Sequence, residues 1–242
     1  MMKLKALNDP TYRGYEVNVG QSPENLPYYT KILDRCIDQI TNLHSHYSRI
    51  DVVRFDTKIP KKLGATILQM NRLVSRFIDK VKKKLSLSEW GCHNKVAHGW
   101  VFEISERGSK HHHLFLALRH TFKNIGSLNP RRPTGLWKLL TDCAKETFGG
   151  KLYFSKFHVV NRNNQDEINS CVKHLSYMAK VRTKDFGTRE THKRFGFSQI
   201  KPSENKNAQK ATKYAAQQAM KPTPSHRTGR GNKIEHNAPQ AA

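Results

Sequence analysis

The residues able to do chemistry fall into two sets. Glu103, His111 and His113 stand as Glu-x7-His-x-His, and Tyr177 and Lys180 stand as Tyr-x-x-Lys. Two imidazoles and a carboxylate with open positions can hold a divalent cation, and such a mixed nitrogen and oxygen set accepts Mn²⁺ or Mg²⁺ as well as Zn²⁺. A phenol beside an ammonium group is a nucleophile poised for a phosphate, because a nearby cation helps form the phenolate. Each set also has a plainer reading. Histidines on a strand are often ordinary outward polar residues, and an isolated Tyr-x-x-Lys is often a solvated basic face.

The elements that would carry these residues argue for bringing them together. A strand has period two, so His111 and His113 share one face while His112 shares the other with Leu114, Leu116 and Leu118. On the preceding strand Trp100, Phe102 and Ile104 alternate with Glu103, which turns the carboxylate toward the histidine pair. A hairpin centred on Arg107 sets Glu103 opposite His111, and one centred on Gly108 sets it opposite His113. Tyr177 lies two residues from the core position Leu175, about 200° around a helix at 3.6 residues per turn, and so points off the apolar stripe. Lys180 is its i+3 neighbour, and Lys173 and Lys184 extend the same face. His44-Ser45-His46 has the His-x-His spacing but lies at a helix end without a matching carboxylate, and reads as surface or a minor phosphate contact.

Hydrophobic periodicity gives the order of elements. A helix runs from Pro27 to about His46, a strand over 50–56, a helix over 61–85, strands over 97–105 and 111–118, a helix over 134–147, a strand over 152–160 and a helix from Asp166 to about Arg182. The middle of the chain is therefore β-α-β-β-α-β followed by a further helix. That is an α+β, ferredoxin-like βαββαβ core with a central antiparallel sheet, helices on one face, the other face open to ligand, and a nucleophile-bearing helix after it. Three segments follow: an N-terminal arm and helix over 1–46, a catalytic domain over 47–200, and a basic, largely disordered tail over 201–242 with a short helix expected near 206–220.

The chain has 242 residues, with 43 Lys and Arg against 19 Asp and Glu, a formal charge of +24. Such an excess points to a polyanion, and nucleic acid is the leading partner. No run of about 18 apolar residues exists, so a transmembrane helix is excluded. The first residues carry no apolar leader, and the four scattered cysteines read as reduced thiols, so a cytoplasmic location is expected.

Taken together, Glu103-x7-His111-x-His113 on a hairpin and Tyr177-x-x-Lys180 on a later helix resemble the HUH endonucleases, and most nearly the rolling-circle replication initiators of the inovirus (filamentous phage) gene II type. Ser48 to Asp56 (SRIDVVRFD) and Arg194 to Ser198 (RFGFS) add to the likeness, which spans about residues 45–200. The middle position of the family's histidine motif is normally hydrophobic, and here it is His112. The resemblance implies a metal-dependent DNA nickase and strand transferase, with one Mn²⁺ or Mg²⁺ on Glu103, His111 and His113. Tyr177 would be the nucleophile that forms a 5′-phosphotyrosyl link, and Lys180 its charge partner. Arg54, Lys173, Lys184 and Arg194 would contact nucleic acid. Single-stranded or supercoiled origin DNA of a phage, prophage or plasmid would be the substrate, with host helicase and polymerase as candidate partners. The alternative is a non-catalytic ferredoxin- or RRM-like protein that binds single-stranded DNA or RNA, or a regulator of a mobile element. On the outward positions of the third strand only Phe115 suits base stacking, which favours catalysis.

Overall fold

The computed structural model describes residues 5–18, 27–60, 63–105, 108–121, 125–181, 184 and 193–204. The N-terminal arm contributes four two-residue strands, β1 (Ala6–Leu7), β2 (Thr11–Tyr12), β3 (Tyr15–Glu16) and β4 (Tyr28–Tyr29), followed by α1 (Thr30–His46). The expected irregular arm is thus partly strand, and α1 begins at Thr30, after β4, not at Pro27. Next come β5 (Arg49–Lys58), α2 (Ile67–Leu85), β6 (Ala97–Ile104), β7 (Lys110–Arg119), α3 (Gly135–Phe148), β8 (Lys151–Asn161), α4 (Gln165–Ser176) and β9 (Phe195–Phe197).

These strands form one five-stranded antiparallel sheet in the order β8-β5-β7-β6-β9. Within the βαββαβ unit the order is fourth, first, third, second, the ferredoxin-like arrangement, with β9 added beside β6. Local chemistry sets the ends of the helices. The α2 helix starts at Ile67 because Thr66 caps it, accepting from the Gln69 amide at 3.3 Å while Gln69 Oε1 accepts from the Thr66 amide at 2.8 Å. Gly149 closes α3 with φ at 60°, a conformation that suits glycine. The end of α4 falls at Ser176, earlier than the expected 182, and Tyr177–Ala179 tighten into a 3₁₀ turn.

One face of the sheet packs on α2 and α3. Phe55 meets Phe77 and Trp137 edge-on at 6.1 and 6.3 Å between ring centres, and Leu114, Leu116 and Leu118 fill the layer beneath. The other face differs from expectation: α1 and α4 cover most of it. Val52, Ala97, Val101, Phe115, Ala117 and Val160 turn toward these helices and are buried with Ile32, Leu33, Ile40, Val172 and Leu175. The physical reason is that the central strands are apolar on both faces, so both need cover. Phe115 is fully buried and cannot serve as a stacking platform. Among the described residues, α1 and α4 stop short of the end of this face near the β6–β7 loop, and the buried polar residues Arg54, Glu103, His113 and Lys184 gather there. Residues 205–242, with the expected tail helix near 206–220, lie outside the described residues. Among the described residues, no helix is long and apolar enough to cross a membrane. All four cysteines are free, with Cys36, Cys143 and Cys171 buried and Cys92 exposed.

Candidate active site

The β6–β7 hairpin sets the geometry. Ser105 donates to the Ser109 carbonyl at 2.9 Å, closing a loop centred on residue 107, and the register pairs Glu103 with His111 and Val101 with His113. Glu103, His111 and His113 therefore share one face at that polar end, Glu103 and His113 buried and His111 half-buried, with their ligand atoms all within 4.8 Å of one another. The two imidazoles stand at right angles, 4.8 Å apart. His112 points the other way, as its parity requires. It is buried between Trp100 and Phe102, with Nε2 2.9 Å from Asn71 Oδ1. Since the Asn71 amide nitrogen already donates to the Lys193 carbonyl, His112 Nε2–H is the donor here. Burial drives its pKa down to about 3, so it stays neutral.

Both nitrogens of His113 are engaged. Nδ1 lies 2.6 Å from Asp56 Oδ1, and Nε2 lies 2.8 Å from Glu103 Oε2. Register explains the first contact, because β5 pairs Asp56 directly with His113. Burial alone would raise the Asp56 carboxyl, but His113, Arg54 and His111 outweigh it and hold Asp56 below its ordinary range. With Nδ1–H donated to Asp56, Nε2 presents a lone pair to Glu103, an arrangement that calls for a cation or a proton between them. The 2.8 Å separation is close to the ~3 Å between adjacent ligands of a six-coordinate ion with bonds of about 2.1 Å. The donor set thus fits a divalent cation, with Asp56 as the outer partner that metal-binding histidines usually have. Burial, then the neighbouring His113, lowers the pKa of His111 and favours its neutral, ligating form.

Tyr177 joins this cluster from the end of α4. Its ring stands edge-on to His113, 5.4 Å between centres at 88°. Two cations face that ring, Lys180 Nζ at 3.9 Å and the Arg54 guanidinium at 4.4 Å from its centre. The N-terminal arm anchors this turn. The Asn18 amide donates to Ser176 Oγ at 2.7 Å, the Val181 amide donates to the Pro27 carbonyl at 2.8 Å, and Tyr28 bridges to Lys180.

The other expected nucleic-acid contacts scatter. Arg54 is buried under Tyr177 and reaches Ser155 Oγ at 3.0 Å, His174 Nε2 at 3.2 Å and His113 Nδ1 at 3.3 Å. Lys184 does not continue the α4 face. Its buried ammonium lies 3.2 Å from Glu103 Oε2, and burial, opposed by Glu103, draws its pKa down to about 8. Lys173 pairs with Glu16 at 2.7 Å on the surface. Arg194 lies 5.5 Å from the Phe102 ring, which belongs to the α2 side of the sheet. His44 is buried, not superficial, and burial takes its pKa to about 4; His46 instead meets the Lys201 carbonyl at 2.8 Å.

Sequence reasoning missed Asp56, Ser155, His158 and His174. His174 Nε2 accepts from Arg54, which leaves Nδ1–H to donate to His158 Nε2 at 3.2 Å. The pairing of Asp56 with β7 crosses 57 residues and has no local signal.

The family model of the YagK/YfjJ C-terminal domain matches residues 21–198. The chain belongs to that family. The matched YagK/YfjJ region takes in every residue of the cluster, from Arg54 and Asp56 through Tyr177 to Lys184. No curated protein and no solved structure matches the chain.

Proposed function

We propose that this YagK/YfjJ-family protein is a metal-dependent DNA nickase of the HUH type that starts rolling-circle replication of a mobile element. One observation carries the reading: the Tyr177 ring packs on His113, itself held between Glu103 and Asp56. A candidate nucleophile and a candidate metal set lie together on elements distant in sequence, on a chain of charge +24, which supports this reading.

A divalent cation on Glu103, His111 and His113, Mn²⁺ or Mg²⁺, would polarise a phosphate oxygen and offset its developing charge. The remaining roles belong to the chain. Lys180 and Arg54 place positive charge against the ring of the attacking side chain. The Tyr177 oxygen bonds to phosphorus, the P–O3′ bond breaks, and the departing oxygen takes a proton to become a free 3′-hydroxyl. The 5′-phosphate remains on tyrosine, conserving the bond for later rejoining. Asp56 holds His113 in one tautomer and orientation.

The test is cleavage of supercoiled plasmid and end-labelled single-stranded DNA carrying the element's own intergenic region, with Mn²⁺, Mg²⁺ or EDTA. A metal-dependent nick with label trapped on protein is expected, abolished in Tyr177→Phe while DNA binding persists. Normal nicking by Tyr177→Phe overturns the nucleophile. Tight binding without a nick under any metal leaves a single-strand-binding protein instead.

A further inference from the structure

The row of side chains that holds His113 continues across the sheet. Asp56 pairs with His113 on one side and with Tyr153 of β8 on the other. Paired residues share a face, so Tyr153 stands on the candidate active-site face, two strand spacings or about 10 Å from His113. Its neighbour Phe154 points the opposite way, against Trp137 at 5.6 Å. The α1–α4 cover stops short of this end. Among the described residues, the exposed large apolar side chains are Leu63, Leu68, Leu87, Leu128 and Tyr153, and Tyr153 alone is aromatic, at 50% exposure.

The surroundings of Tyr153 are cationic. Lys58 pairs with Lys151 in the next row, and both are exposed. A register slip between Arg54 and Phe55 skips Ser155 and leaves the exposed Lys156 opposite Arg54, on the same face. The acidic residue in the row, Asp56, is turned to His113 and lies 3.7 Å from Arg54, so its charge is largely answered. An exposed aromatic ring flanked by ammonium groups, on a sheet with open edge space, is the composition that binds single strands: a base stacks on the ring and lysines meet the phosphates.

We propose that Tyr153 is the stacking platform of a single-stranded DNA track that runs over β8 and β5 to the Glu103–His111–His113 cluster, with Lys58, Lys151 and Lys156 following the backbone. The track rests on the nickase reading for its direction and its substrate. Stacking accepts any base, so this position contributes affinity and alignment but little sequence choice.

The proposal is tested by fluorescence anisotropy of the full chain in EDTA with two labelled probes, a dT 20-mer and a fully abasic 20-mer of the same backbone. Tyr153→Ala should weaken binding of the dT probe about 5- to 150-fold, the contribution of one stacked base, and leave the abasic probe unchanged. Tyr153→Phe should bind the dT probe like the parent chain. Lys151→Ala should weaken both probes alike. Unchanged dT affinity in Tyr153→Ala overturns the proposal, and so does an equal loss on both probes. Neither probe is cut in EDTA. A chain that shows this base-dependent loss but never nicks keeps the track and loses the nickase reading; one that nicks yet shows no loss does the reverse.

Discussion

His113 carries the greatest burden of any single side chain. Its two nitrogens face two carboxylates, and its ring supports Tyr177. Asp56→Asn removes the charge that fixes its tautomer. Mn²⁺ affinity should fall about 10- to 100-fold in a direct titration, with nicking falling in parallel. An unchanged Mn²⁺ affinity would show that Asp56 does not orient the ligand. Period two alone was enough to group Glu103 with His111 and His113 and to turn His112 inward. It could not find Asp56 or Lys184, because 47 and 81 residues separate them from Glu103 and only the folded sheet closes that distance. Lys184 was misplaced because its position on the Tyr177 face assumed a helix running past Ser176.

At the scale of elements, the sequence carried the order and strand limits to within a few residues, since each strand alternates or runs apolar between turn signals. The second helical layer was not legible. Residues of α1 show an apolar stripe, but nothing local says which surface it meets. The site depends on that layer, because α1 and α4 close the face down to its polar end, and the arm anchors the turn bearing Tyr177. Close approach of β9 to β6 also needs Gly99. A Cβ there would collide with the Phe197 ring and lie 2.5 Å from the Phe115 ring. Phe115 is fully buried and cannot yield. Gly99→Ala should therefore cost about 1–3 kcal/mol by overpacking, read as a lower urea midpoint. A midpoint equal to the parent chain's would mean that β9 moves away freely.

Across the whole molecule, buried histidines make acid the weak direction. Burial lowers the pKa of His44, His98 and His158 to about 4 and of His112 and His174 to about 3. In the unfolded chain each titrates near 6.5. As pH falls from about 6.5 toward 4, the unfolded chain takes up protons that the folded chain refuses, so stability is lost over that window and is fully present above it. The urea midpoint should drop between pH 7.5 and pH 5; a flat profile would mean that these imidazoles are hydrated in the fold.

Among the described residues the sheet has two free margins, and they are finished differently. On the β9 side the margin is three residues long. On the β8 side it is eleven residues long, and it bears Lys151, Lys156 and a register slip midway. An unpaired strand of that length is a template on which another chain can add, and like charges with a broken ladder are what discourage it. The lysines of β8 therefore serve a second purpose. Like charges along this margin disfavour the docking of a second copy of the same strand. If the chain binds DNA as proposed, phosphates that neutralise Lys151 and Lys156 would weaken that safeguard where copies crowd together.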